Sequence, residues 1–201
     1  VPPPALHEVS VPVRAPQAGM YQTTSGASVA WQDGVRSSPD AALVIGQPDF
    51  NSYGCQPTSE RSLCGPLGLA VDAAGNLFVV DNGRHRVLRF PRPTGNYPAA
   101  DLVIGQGGSF RTGACNLGGT AGPATLCNPR SVAVEPVSGN LFVADGDNGR
   151  FLRFNAPLSG AADASAILTW GSAGTNSAKA IAIDSSSTPP HIFAAAWIQG
   201  V

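Results

Sequence analysis

From Pro66 to Phe90 the chain reads P-L-G-L-A-V-D-A-A-G-N-L-F-V-V-D-N-G-R-H-R-V-L-R-F, and most of this returns 63 to 64 residues later, from Pro129 to Phe154. Gly75-Asn76-Leu77-Phe78-Val79-Val80-Asp81 comes back as Gly139-Asn140-Leu141-Phe142-Val143-Ala144-Asp145. Arg86-Val87-Leu88-Arg89-Phe90 comes back as Arg150-Phe151-Leu152-Arg153-Phe154. Short apolar runs bounded by Asp, Asn and Gly predict strands joined by tight turns. Gly68 to Asp72, Leu77 to Val80, Arg86 to Phe90 and Leu102 to Ile104 are the four strands of one antiparallel meander. A second meander runs from Ser131 to Gly171, ending on Ala166-Ile167-Leu168-Thr169-Trp170.

Working outward, Leu43-Val44-Ile45-Gly46-Gln47 is identical to Leu102-Val103-Ile104-Gly105-Gln106. The earlier copy is the tail of a partial unit over 21–47, with Ala27 to Trp31 as a weak strand before it. A third unit opens at Ala180-Ile181-Ala182-Ile183-Asp184 and its second strand is Ile192 to Trp197. The expected organisation is a Pro-rich arm over 1–20, a partial unit over 21–47, full units over 66–106 and 129–171, and a partial unit over 180–201. The arm holds a short alternating piece, His7 to Val13, that reads as a strand. Trp31, Trp170 and Trp197 fall at strand ends, where packing between units is their expected role.

The bulk numbers exclude several function classes. Of 201 residues only 12% are charged, about half the usual share, and the net charge is −1. No basic patch suits nucleic acid. No apolar run of about 18 residues is long enough for a membrane helix. Gly (24) and Pro (18) favour turns over long helices. Neither G-x-S-x-G nor a phosphate-binding glycine loop is present.

Four cysteines fall in two equivalent loops, Cys55 and Cys64 in one, Cys115 and Cys127 in the next. A local disulfide per loop is the expected reading, and it implies an oxidising compartment. A structural zinc site would need tighter C-x2-4-C spacing or clustered histidines, and His7, His85 and His191 do not cluster with the cysteines.

The repeated motif resembles an NHL repeat, and the A-D-L-V-I-G-Q strand followed by a cysteine loop resembles a bacterial extracellular version of it. The resemblance is strong over 66–106 and 129–171, partial over 27–47 and 180–201, and absent over 1–20. It implies an all-β fold, a β-propeller of four-stranded antiparallel blades, usually six to a ring. Two full and two partial units are fewer than a ring needs, so the expectation is a fragment of a longer protein, with ring completion by further chains as the alternative. Some enzymes of this fold, the amidating lyases among them, hold a metal with histidines near the axis. That needs histidines on several blades, and the second repeat has Asn148-Gly149 where the first has Arg84-His85. No metal or catalytic residue is therefore carried over.

The remaining candidates are few. Asp145-Gly146-Asp147-Asn148-Gly149 starts like a calcium loop, which makes Asp145 and Asp147 weak metal candidates; no distal glutamate follows. Arg84, His85, Asp147 and Asn148 lie where the copies differ, together with the cysteine loops, and form the expected binding surface. The leading expectation is a non-enzymatic, secreted or periplasmic scaffold that binds a protein or glycan partner or associates with itself, with no cofactor. The alternatives are a fragment of a propeller hydrolase or lyase, with its catalytic residues outside this chain, and an accessory subunit of a membrane-attached complex.

Overall fold

The computed structural model describes residues 28–31, 41–169 and 176–198. The expected arm over 1–20 and Trp170 lie outside the described residues. Twelve strands are described: β1 (Ser28–Trp31), β2 (Ala41–Ile45), β3 (Pro66–Val71), β4 (Leu77–Asp81), β5 (Arg86–Phe90), β6 (Leu102–Ile104), β7 (Pro129–Val134), β8 (Leu141–Asp145), β9 (Arg150–Phe154), β10 (Ala166–Thr169), β11 (Asn176–Asp184) and β12 (His191–Ile198). β3-β4-β5-β6 and β7-β8-β9-β10 are four-stranded antiparallel meanders, here blades 1 and 2. β1–β2 and β11–β12 are antiparallel pairs. β11 starts four residues before the expected Ala180, with a register shift between Ala178 and Ala180.

The sequence explains the blades locally. Leu77–Asp81 and Leu141–Asp145 are continuous apolar runs because both faces of these second strands are covered. Each first turn is closed by an acidic side chain. Asp72 accepts from the Ala74 and Asn76 amides, and Glu135 from those of Val137 and Ser138. These bonds favour the charged carboxylates and hold both below their ordinary values, although burial opposes them and is the largest single influence on Asp72.

Three apolar clusters sit between successive units. One joins Leu43 and Ile45 of β2 to Val79, Leu88, Phe90 and Val103 of blade 1. The next joins Phe78, Val80 and Val87 of blade 1 to Val132 and Val134 of β7. The last joins Phe142, Ala144 and Phe151 of blade 2 to Ala178 and Ile181 of β11. Gly68 allows the closest approach: a Cβ there would come within 2.9 Å of Ser131 Cα, so β3 and β7 meet almost backbone to backbone. Gly105, at φ +97°, lies against Leu126, and Gly46, at φ +89°, lies against Leu63; any side chain at either would strike the leucine. The repeated I-G-Q therefore seats the residue that precedes the second cysteine of each loop. Trp197 differs from expectation: it is 64% exposed, with Lys179 Nζ 5.5 Å from its ring centre.

Candidate functional site

β4 ends, and β3 and β5 begin, at one end of blade 1, and blade 2 repeats this arrangement. Both cysteine loops and both second turns therefore share that end. The local pairs are bonded, Cys55 to Cys64 and Cys115 to Cys127.

Each loop is also held from below by a buried ion pair between partners in the strand register. Arg86 Nε donates to Asp81 Oδ2 at 2.8 Å, and both side chains are fully buried. Asp81 Oδ1 accepts from the Cys64 amide at 2.6 Å. Arg86 Nη2 donates to the Ser59 and Ser62 carbonyls, and Nη1 to the Phe110 carbonyl of the second loop. Blade 2 copies the device: Arg150 Nε donates to Asp145 Oδ2 at 2.8 Å, the Cys127 amide to Asp145 Oδ1 at 2.7 Å, and Arg150 Nη2 to the Gly122 and Thr125 carbonyls. Burial pushes both aspartates above their ordinary values and Arg86 below its own. The opposing pull comes mainly from Arg86 on Asp81, and from Asn148 and the Cys127 amide on Asp145. The repeating arginines are thus loop anchors, paired with aspartate.

The copies differ at the tip of the second turn, where His85 stands at the position of Gly149. Both backbones are left-handed, φ 53° at His85 and φ 61° at Gly149. A glycine adopts this conformation freely, whereas a histidine does so at a cost of about 1 kcal/mol. Strain kept at one copy and not the other marks the side chain as the reason. His85 Nδ1 accepts from the Asn128 amide at 2.9 Å, so the neutral ring carries its proton on Nε2. The His85 carbonyl accepts from Gln106 Nε2, which also donates to the Ala114 carbonyl. Burial lowers the His85 pKa, against the opposing charges of Asp147, Asp81 and Asp145.

The four candidates Arg84, His85, Asp147 and Asn148 line one seam between blades. Arg84 is buried, 3.7 Å from Asp81, and donates to the Gln56 carbonyl. Asp147 accepts from Asn128 Nδ2 and pairs with Arg130 at 3.2 Å. Asn148 donates to Asp145 and exchanges amide bonds with Asn116. Asp145 and Asp147 do not converge as cation ligands: one turns into the blade toward Arg150, the other toward Arg130. Among the described residues no three of His, Cys, Asp or Glu lie close enough to hold a metal ion. His85 spends Nδ1 as an acceptor, which leaves Nε2 protonated, so among the described residues His85 does not fit as a metal ligand. Sequence reasoning missed Gln106, Asn116, Asn128 and Arg130. One signal was available for Asn128: it follows Cys127 at φ 47°, where Gly65 follows Cys64 at φ 67°.

Residues 63–90 match the NHL repeat family. The match takes in β3, β4 and β5 of blade 1. Among curated proteins, the chain is 28% identical over 125 residues to peptidyl-glycine alpha-amidating monooxygenase B of Xenopus laevis, covering 62% of this chain and 13% of that protein. It is 32% identical over 117 residues to peptidylglycine alpha-amidating monooxygenase of Rattus norvegicus, covering 58% and 11%. It is 35% identical over 91 residues to peptidyl-alpha-hydroxyglycine alpha-amidating lyase 1 of Drosophila melanogaster, covering 45% and 15%. The chain thus spans a small fraction of each relative. These relatives are enzymes, which overturns the expectation of a non-enzymatic scaffold. That expectation rested on the absence of a catalytic motif, and a site assembled from the ends of separate blades leaves no contiguous motif. The two disulfides mark a chain of the secreted type. Among the described residues no helix is long and apolar enough to cross a membrane.

Proposed function

We propose that this chain supplies propeller blades to a lyase acting on peptides that end in α-hydroxyglycine. The observation that carries the reading is the set of relatives, whose names all concern amidation of peptidylglycine. The Drosophila relative is named for the lyase step itself. A peptide of that kind is a carbinolamide. Its N–Cα bond breaks when the hydroxyl loses a proton and the nitrogen gains one, giving peptide amide and glyoxylate with no net oxidation. Among the described residues, His85 is suited to the work. Its Nε2–H, on a ring fixed through Nδ1, is a donor for a substrate carboxylate or a developing oxyanion. A secreted or periplasmic location belongs to the same reading and draws support from the disulfides.

The test is glyoxylate release from a synthetic peptide ending in α-hydroxyglycine, incubated with the intact polypeptide that carries these blades. Peptide amide and glyoxylate are expected in equal amounts. His85→Ala is expected to lower kcat/KM on the order of 100-fold. No glyoxylate above the uncatalysed rate overturns the reading.

A further inference from the structure

The first strand of each unit opens with a β-bulge. Pro66 pairs with Asp81, Pro129 with Asp145 and Ala178 with Ala196, and the register then shifts. Aligned on the pairs that follow, Leu69 with Val79, Val132 with Val143 and Ile181 with Ala194, the bulge positions are Leu67, Arg130 and Lys179. A bulge takes one residue out of the strand's alternation and re-aims its side chain. The three strands also lie side by side. A Cβ on Gly68 would meet the Arg130 carbonyl oxygen at 3.0 Å, and the Ile181 amide donates to Ser131 Oγ at 3.3 Å. The bulges therefore share one level, at the end of the blades that carries the cysteine loops. The Asn128 amide that fixes His85 lies two residues before Arg130.

Two of these bulges carry cations, and one of the two lacks a counter-charge. Arg130 pairs with Asp147 at 3.2 Å, while its Nε is buried without a hydrogen-bond partner. Gly146 makes room for this side chain, since a Cβ there would come within 2.6 Å of Nε. Lys179 is the only lysine of the chain. Where Asp81 and Asp145 end the second strands of blades 1 and 2, β12 has Ala196, and the Lys179 ammonium lies over the Trp197 ring with no ion pair among the described residues. Beside it on β11, Ser177 Oγ is buried and also without a partner. Two cations against one carboxylate leave a single positive charge in excess, which suits a monoanion better than a dianion.

We propose that Arg130 and Lys179 together bind the C-terminal carboxylate of a peptide. A guanidinium presents a planar fork that matches carboxylate geometry, and an ammonium adds a compact point charge. The choice of a peptide rests on the lyase reading above, whereas the excess charge at the bulges does not. With the carboxylate held there, His85 Nε2–H is left to meet the developing oxyanion.

Acetylation of Lys179 by an N-hydroxysuccinimide ester tests the site without turnover. The intact polypeptide that carries these blades is labelled, and the rate at Lys179 is read by peptide mass mapping. N-acetyl-Phe-Gly, which carries a free carboxylate, is expected to slow the labelling in a saturable way. Its C-terminal amide is expected to leave the rate unchanged, and inorganic phosphate to protect only weakly. Arg130→Gln is expected to raise the half-protecting concentration about 10-fold. Asp147→Asn removes the competing carboxylate and is expected to lower it. In lyase assays Arg130→Gln should raise KM and largely keep kcat. Equal protection by acid and amide, equal protection by phosphate, or a half-protecting concentration unmoved in both variants would each overturn the proposal. Protection by the acid without any glyoxylate release from the hydroxyglycine peptide would uphold the site and sink the lyase reading. Glyoxylate release with Lys179 indifferent to N-acetyl-Phe-Gly would do the reverse.

Discussion

Blade 1 and blade 2 share a frame and differ at its tip. In both, an aspartate ending the second strand and an arginine starting the third form a buried pair that reaches up to the cysteine loop. Between them, blade 1 places Arg84-His85 and blade 2 places Asn148-Gly149, with the second residue of each on the same left-handed backbone. The comparison teaches that repetition and function separate by position. What recurs holds the loops, and what differs faces the seam between blades.

The largest effect is expected from breaking the recurring part. Arg86→Leu leaves the buried Asp81 with only the more distant Arg84, at 3.7 Å, and removes donors from three loop carbonyls, so it should cost about 3–5 kcal/mol. Arg150→Leu should cost less, because Asp145 keeps the Asn148 amide. Denaturant midpoints at unchanged m-value measure both. Equal losses would mean that Asn148 contributes nothing to the second anchor. A smaller loss, about 2–3 kcal/mol, is expected on replacing Cys115 and Cys127 by serine, from the loop the bridge closes.

Much of this frame is legible in the sequence. The two copies, their strands and the local pairing of cysteines all follow from spacing, because short-range patterns dictate short-range structure. The reach of Asp81 to the Cys64 amide is not legible: it depends on how the loop folds back over the strand end. Nor is the seam, since His85 and Asn128 lie 43 residues apart and meet only when the blades stack. What alignment of the copies does show is a histidine where its twin has glycine. The place of Phe193 is half legible in the same way. The repeated Leu-Phe and Ile-Phe steps reveal the phenylalanine, while its exposure is seen only in the structure.

Changing the tip without the frame sharpens the comparison further. His85→Gly relieves about 1 kcal/mol of backbone strain and forfeits a hydrogen bond of similar worth, so stability should move by less than about 1 kcal/mol. His85→Ala keeps the strain and loses the bond, and should be the less stable of the two. Lyase turnover should fall in both. A His85→Gly protein that keeps full turnover would remove His85 from the site while leaving the anchors untouched.

The smallest effect is a pH dependence confined to blade 1. Burial holds the His85 pKa below its ordinary 6.5, against Asp147, Asp81 and Asp145; Arg84 and Arg130 stand beside those carboxylates. The unfolded chain therefore takes up a proton at a higher pH than the folded chain does. Stability from this residue is complete above 6.5 and is lost as the pH falls below it, with a slope of at most about 1.4 kcal/mol per pH unit. Half-exposure of the ring makes the observed slope shallower. Asp72 and Glu135, with depressed values of their own, lose their contribution only at lower pH, and Asp81 and Asp145, raised by burial, act in both chains, so the difference between the native chain and His85→Gly from pH 7 to pH 5 isolates the histidine. Unfolding free energies over that interval should slope downward in the native chain and run flatter in His85→Gly. An identical slope in both would show that the Asn128 amide does not depend on the charge of His85. The difference between the two tips would then lie in the space the ring fills and not in the proton it declines.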